Sequence, residues 1–434
     1  MTSFRLFLQG CALLFAMSLA DAQSPVNYDE TKVPTFELTN PLKTSDGKIV
    51  DSEKMWREVR RPELLKLFEK EMFGESQWWG KSKSSFNIVP RPITTDNPGN
   101  TSVYNGKGIR YQWHLWLIKD GEEWSENCPK IDVLIYIPAK VHGKVPAFLG
   151  LNFQGNHTVD DDPGIALGKV WKDKQLVPAA EEERGNQKSR WCIEKILDRG
   201  YAVITAYYQD IEPDFDGGSK YGLRQLFDEK GEPGDGNAIA TWALGVHLMR
   251  VFVCAEFGET IDADKIIVHG HSRLGKTALW AGALDERFAM VISNNSGCGG
   301  AALSRREYGE TVQRINTAFP HWFCGNFKKY NLDVNLLPFD QHELIALIAP
   351  RPVYIASAAE DQWADPKGEF LSGLHADPVY RLLGTDGIAS VTEMPDIHQP
   401  VGGTIGYHIR SGKHDVTEYD WEQFLNFADK HFKK

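Results

Sequence analysis

Short apolar runs alternate along the chain with longer stretches of helical spacing, and this alternation sets the expected fold. Over residues 52–74 the positions Trp56, Leu64, Leu65, Leu67, Phe68 and Met72 recur at helical intervals, predicting a helix or a helix pair broken near Pro62. Strand-like runs follow at 109–118, with Tyr111 and Trp113 in alternation, and at 130–137, 145–152 and 201–207, bounded by Gly, Pro or Asn. Residues 191–197 read as a helix closed by Gly200, and 238–253 as a longer one with Trp242, Leu244, Leu248 and Val251 at core spacing. An apolar run ending at 271 leads into a turn and a helix-like segment. Further strands are expected at 288–292, 352–357 and 390–394, and a last helix at 421–432. Strands alternating with helices predict an α/β fold, a mainly parallel sheet sandwiched by helices. The polar, interrupted segment 157–184 is expected to be an insertion or an active-site loop.

Composition narrows the setting. The first 22 residues carry one basic residue, Arg5, then an apolar stretch through Leu19 and the small-x-small ending Ala20-Asp21-Ala22, which predicts a secretory signal peptide cleaved after Ala22. Cys11 precedes most of that apolar region, so lipidation there is not expected. No other stretch reads as long and apolar enough to cross a bilayer, and residues 23–434 are expected to form one exported domain and a monomer. The net charge of −11 argues against a nucleic-acid partner, which calls for a basic patch. Thirteen tryptophans permit a carbohydrate cleft, although for any single Trp a core position is the commoner fate. Beyond Cys11 there are five cysteines, Cys128, Cys192, Cys254, Cys298 and Cys324, an odd number with no zinc-site spacing. Cys298 and Cys324 flank the expected active-site loop and are the pair to test for a disulfide.

The chemistry-bearing signal is Gly270-His271-Ser272-Arg273-Leu274-Gly275-Lys276, after the apolar run and before Thr277-Ala278-Leu279-Trp280. A serine between glycines at a strand-to-helix junction fits a nucleophile elbow, in which strain exposes the hydroxyl above a helix N-terminus. The second glycine stands one place later than in Gly-x-Ser-x-Gly, and a capping serine on an ordinary turn is the bland alternative. In an α/β-hydrolase the acid and then the base follow the serine in the chain. His408 and His414 both lie near the last helix; His414, after Gly412 and leading into that helix, is preferred as base. Asp361 is the first well-placed carboxylate after the strand at 352–357, with Glu360 and Asp365 as alternatives. Oxyanion donors are expected from the backbone N–H and guanidinium of Arg273 and from the loop 152–156.

These residues carry a resemblance. The elbow is similar to the Gly-Cys-Ser-Arg-x-Gly-Lys signature of the glucuronoyl esterases, carbohydrate esterase family 15, with His271 in the cysteine's place. Further matches are Ser296-Gly297-Cys298-Gly299-Gly300, the segment 335–344, Ala349-Pro350-Arg351-Pro352 and Asp361-Gln362-Trp363-Ala364-Asp365-Pro366. The resemblance spans most of the chain and is closer to the bacterial branch. It implies a metal-free and cofactor-free α/β-hydrolase that cleaves the ester between 4-O-methyl-glucuronic acid of glucuronoxylan and lignin alcohols. It also implies Ser272 as nucleophile, His414 as base, Arg273 as oxyanion stabiliser, and Lys276, Glu310 and Trp363 as sugar-binding residues, with Glu307 close enough to compete with Glu310. One departure stands out: fungal members carry the triad acid where this chain has Asn295, and an amide cannot stabilise an imidazolium as a carboxylate does. Asp361 is then expected to take the role. Two rivals stay open, an acetyl-xylan or other carbohydrate esterase and a catalytically silent glycan-binding homologue.

Overall fold

The hydrophobic runs assemble side by side. The computed structural model describes residues 25–75, 86–93, 101–140, 142–227 and 231–433; the expected signal peptide and Cys11 lie outside the described residues. The strands are β1 (Phe86–Pro92), β2 (Thr101–Val103), β3 (Gly108–Lys119), β4 (Lys130–Pro138), β5 (Val145–Asn152), β6 (Lys169–Lys172), β7 (Gln175–Pro178), β8 (Ala202–Tyr207), β9 (Ile261–His271), β10 (Met290–Asn294), β11 (Val353–Ala358), β12 (Val401–Gly402) and β13 (Ile405–Arg410). All but the β6–β7 hairpin join one sheet in the order β1-β3-β4-β8-β5-β9-β10-β11-β13-β12, with β2 on β3. From β8 to β13 the neighbours run parallel, while β1 to β4 and β12 pair antiparallel. The expected α/β-hydrolase class, a mostly parallel sheet between helices, is the one observed.

Alternation along the central strands builds two cores. On β5, Ala147, Leu149 and Leu151 face one side and Phe148 the other; on β9, Ile266 and Val268 oppose Ile267; on β11, Val353 and Ile355 oppose Tyr354 and Ala356. The first set packs with the helices Ala238–Glu256 and Arg273–Leu284 and the helical stretch 53–73, the second with Ile193–Asp198 and Glu418–Phe432. Each large apolar side chain buried this way contributes about 1.5–3 kcal/mol. Chain order reverses between β5 and β9, because β8 pairs on the far side of β5. In open α/β sheets the crevice outside the strand C-termini at such a reversal is where ligands bind.

Several expectations are corrected. The stretch 53–73 is not broken at Pro62. A π turn, Trp56–Arg60, precedes the helix Arg61–Phe68, and the Arg61 N–H bonds back to the Trp56 carbonyl; that wide turn makes room for a proline in the first helical turn. The helix expected at 191–197 is split by Cys192, which is left-handed at φ 45°. Residues 390–394 form no strand; the last parallel strand is β13, whose polar residues His408 and Arg410 are buried because Asp420 accepts from both, at 2.9 and 2.7 Å. The helix Ala238–Glu256, with 19 residues, is long and apolar enough to cross a bilayer, against the sequence reading, but most of it is buried inside the protein. Its first turn is capped by the Asn237 side chain, which accepts from the Ala240 N–H. Cys298 and Cys324 are not bridged. Both are buried free thiols, and Cys324 points its Sγ at the Lys70 carbonyl, 3.8 Å away. The segment 157–184 folds into short helices and the β6–β7 hairpin, tied down by Arg184, which donates at 2.9 Å to the carbonyls of Asp162 and Ile165.

Candidate active site

The elbow forms where β9 ends. Ser272 adopts φ 57°, ψ −129°, and its side chain makes no cap bond to the helix Arg273–Leu284, so the capping reading does not describe it. A non-glycine residue held there stores about 1–3 kcal/mol of strain. The turn is tight enough that a Cβ on Gly270 would overlap the Leu274 carbonyl oxygen, while a Cβ on Gly275 would stand 3.0 Å from the Ser296 Cβ. The late glycine is thus a packing requirement: it lets the first turn of the helix close against the loop after β10.

Seven residues singled out from sequence, Ser272, Arg273, Lys276, Glu310, Asp361, Trp363 and His414, line one cavity of about 340 Å³ together with Asn295, Phe319 and Trp322. That volume lies in the range of small-molecule clefts. No residue of 157–184 lines it. The loop 152–156 is not among its lining residues either; Asn152 is buried, donating to Asn156 Oδ1 at 2.7 Å and to Thr205 Oγ1 at 3.1 Å.

Of the two histidines left open, His408 is buried on β13 between Tyr354 and Asp420, whereas His414 stands on the following loop with its side chain 42% exposed. Of the three carboxylates, Asp361 lies 2.6 Å from His414 Nδ1 and is 5% exposed. Glu360 is exposed, and Asp365 caps the helix Pro366–Leu382 and binds Arg306. Burial raises the Asp361 carboxyl, but the hydrogen bond and charge of His414, with a second bond from Asn295 Nδ2 at 2.8 Å, outweigh it and hold the group below the ordinary carboxylate range. Asn295 therefore donates to the carboxylate, a role that position did not announce.

The cationic side of the cavity is anchored. Arg273 pairs with Asp214, lies 4.7 Å above the Trp322 ring, and keeps a buried Nε with no partner. Asp214 also accepts from His321 Nε2 at 2.8 Å, Trp322 Nε1 at 2.7 Å and the Tyr208 hydroxyl at 2.8 Å. Burial pushes the Asp214 carboxyl up, yet His321, Arg273, Trp322 and Tyr208 together hold it at about 2. Lys276 is buried, donates Nζ to the Ser296 carbonyl and faces Glu310; burial lowers its pKa and Glu310 partly restores it. Glu310 is raised by burial, opposed by Lys276 and by a hydrogen bond from the Trp363 side chain. Glu307 is exposed and left-handed at φ 46°, outside the cavity lining.

The comparisons with known proteins place this arrangement. The family model of fungal glucuronyl esterases matches residues 189–384. A carbohydrate esterase of an unknown prokaryotic organism is 48% identical over 421 residues, covering 93% of this chain and 92% of that protein. The chain belongs to carbohydrate esterase family 15. Among solved glucuronoyl esterases, that of Solibacter usitatus is 46% identical with a TM-score of 0.84, covering 93% of this chain and all of the other. A family 15 esterase described as promiscuous, from a marine bacterial metagenome, is 46% identical with a TM-score of 0.83 over 94% of this chain and 100% of its own. This glucuronoyl esterase, a carboxylic ester hydrolase of the bacterial branch, thus shares its whole fold with enzymes of that kind.

Sequence reading missed several residues that shape the esterase's site. Asp214, His321, Trp322 and Phe319 sit in loops without a motif, and only folding brings Asp214, Trp322 and Phe319 against Arg273 and His321 against Asp214. Glu369, fully buried, accepts from the backbone N–H groups of Ser296 at 2.7 Å and Gly297 at 3.0 Å and from Ser357 Oγ at 2.6 Å, fixing the loop after β10. Burial raises its carboxyl to about 8 against these three bonds. No sequence signal marks it: Glu369 lies in the helix Pro366–Leu382, and only the fold buries it.

Proposed function

We propose that this esterase is exported and hydrolyses the ester that joins (4-O-methyl-)glucuronic acid of glucuronoxylan to lignin alcohols, through an acyl-enzyme on Ser272. The observation that carries the reading is the His414–Asp361 bond of 2.6 Å at the mouth of the cavity that holds Ser272, Arg273, Lys276 and Glu310. In the first half-reaction Ser272 Oγ attacks the uronate carbonyl carbon while His414 Nε2 takes the hydroxyl proton. The oxyanion meets the Arg273 backbone N–H and its guanidinium. Asp361 stabilises the imidazolium, the C–O bond to the alcohol breaks, and His414 returns the proton to the leaving oxygen. In the second half-reaction water attacks the acyl carbon as His414 takes its proton, the bond from that carbon to Ser272 Oγ breaks, and His414 returns the proton to Oγ as the free uronate leaves.

The substrate class is supported by the polar floor of the site. Lys276, buried, and Glu310, half-buried, are set to bond sugar hydroxyls, and Trp363, 40% exposed, offers an apolar face to a pyranose ring. Export is inferred from residues 1–22 alone. The test is hydrolysis of benzyl glucuronate beside a simple acetyl ester by wild type and Ser272→Ala. Preferential glucuronate cleavage, abolished in Ser272→Ala, is expected. Faster acetyl than glucuronate turnover would replace this reading with that of a general carbohydrate esterase, and binding without turnover of either with that of a silent homologue.

A further inference from the structure

Among the described residues His414 has one hydrogen-bonding tie, the bond from Nδ1 to Asp361, and a single bond at the ring edge leaves the imidazole free to swing about that axis. A second contact limits the swing. The ring of His271, the residue before Ser272, lies 4.4 Å from that of His414, centroid to centroid, with 42° between their planes. His271 is itself fixed: it is 7% exposed, its Nδ1 is 2.7 Å from Asn294 Oδ1, and the edge of Phe153 meets it at 6.1 Å. Asn294 and Asn295 are consecutive at the end of β10. One braces His271 beneath the face of His414, and the other donates to Asp361 at its edge.

We infer that His271 is a positioning residue for the base. Anchored by Asn294, it backs the imidazole of His414 while Asp361, anchored by Asn295, holds Nδ1, so that two neighbouring asparagines set both constraints on the ring. The inference rests on the reading of His414 as base. The groups that face His271 agree with an uncharged backing ring. Burial, the neighbouring His414 and Arg190 all disfavour its protonation and outweigh the hydrogen bond to Asn294 and, after it, the charge of Asp420, which act the other way. A neutral ring can stack on an imidazolium without opposing its charge. Behind His271 is a cavity of about 40 Å³, lined by Leu151, Phe153, Trp191, Val416 and Trp421 among others. Truncating His271 would merge its space with that cavity and leave the His414 face unsupported.

The experiment compares wild type with His271→Ala, His271→Phe, Asn294→Ala and His414→Ala on benzyl glucuronate. It reads kcat and KM separately, together with the low-field proton resonance of the His414–Asp361 bond. His271→Ala is expected to lose about 10- to 100-fold in kcat, the scale of a misplaced catalytic group, with KM within about twofold and the low-field resonance broadened. His271→Phe restores a flat ring and should recover most of the loss. Asn294→Ala, which leaves His271 in place but unbraced, should show a smaller loss of the same kind and keeps the test open if His271→Ala does not fold. Wild-type kcat and an unchanged resonance in both His271→Ala and Asn294→Ala would overturn the inference, as would a loss that appears in KM alone. An active His414→Ala would overturn the assignment of the base instead, so the two failures are distinguishable.

Discussion

Removing the charge that faces His414 tests the proposed triad most directly. Asp361 Oδ2 accepts from both His414 Nδ1 and Asn295 Nδ2, at 2.6 and 2.8 Å, in a position 5% exposed to solvent. In Asp361→Asn one of the two polar groups becomes a donor. If the amide nitrogen takes the Oδ2 position, it confronts two donors; if the oxygen takes it, the bonds survive but the charge is gone. A hydrogen bond to a charged partner is worth about 1.5–3 kcal/mol, and loss of an ion pair at an effective dielectric of about 20 costs about 4 kcal/mol at 4 Å. These overlap, so about 3–5 kcal/mol is the expected rise in the barrier. At 1.36 kcal/mol per tenfold that is about 10²- to 10⁴-fold in kcat, the upper end matching the aspartate-to-asparagine change in the serine-protease triad. The assay is kcat for benzyl glucuronate near neutral pH, with Glu360→Gln as an exposed control expected to retain wild-type activity. An Asp361→Asn enzyme within tenfold of wild type would refute the reasoning, because the only carboxylate bonded to His414 among the described residues would then be dispensable.

Other outcomes follow from the same geometry. If Lys276 bonds the sugar as proposed, Lys276→Met should cut kcat/KM for benzyl glucuronate at least about tenfold while changing acetyl-ester turnover much less, since the buried cation faces Glu310; equal losses on both substrates would count against a sugar-binding role. Asp214→Asn should lower kcat/KM by about 10- to 100-fold by releasing Arg273. The same variant has a signature in stability. Asp214 is held at about 2 against an ordinary 3.8, so its contribution is present above pH 4 and lost as pH falls through about 2. The shift is worth roughly 2 kcal/mol, and chemical unfolding of Asp214→Asn between pH 4 and 2 should show a correspondingly shallower decline than wild type. Gly270→Ala forces a methyl into the Leu274 carbonyl and should destabilise the fold by about 1–3 kcal/mol or more, read as a fall in Tm.

How much of this was legible depended on how locally each feature is encoded. Ser272, Arg273 and Lys276 share one seven-residue string, and the strain that exposes the serine is set by its own neighbours. His414 lies in no matched segment, and Asp361 only opens the matched stretch 361–366; from the residues alone both are reachable because the strand order restricts where an acid and a base can stand. Asp214 had no such help. It precedes Arg273 by 59 positions, in an ordinary acidic loop, and of its donors only Tyr208 is near in sequence, while Arg273 and the neighbours His321 and Trp322 come from two distant segments. His271 looked like the variable residue of the elbow, since a ring–ring contact with a loop 143 positions downstream leaves no periodic trace. The misplaced last strand has a similar origin. Residues 405–410 carry a histidine and an arginine that a buried Asp420, shared by both, helps make compatible with the core, whereas 390–394 has apolar residues and no ladder to join.

The thiols carry a consequence of another kind. Cys128, Cys192, Cys254, Cys298 and Cys324 are all free, so the described part of the molecule is held by burial and hydrogen bonding with no covalent cross-link. Its cohesion is therefore independent of the ambient redox potential: maturation requires no oxidant and no disulfide exchange, and reductant should shift neither the melting transition nor turnover. Cys298, enclosed near Lys276 and Glu310, is kept in its protonated form by burial, so alkylating reagents should spare it while the enzyme is folded. Slow modification of that thiol would then serve as a clock for opening of the loop beside Lys276 and Glu310.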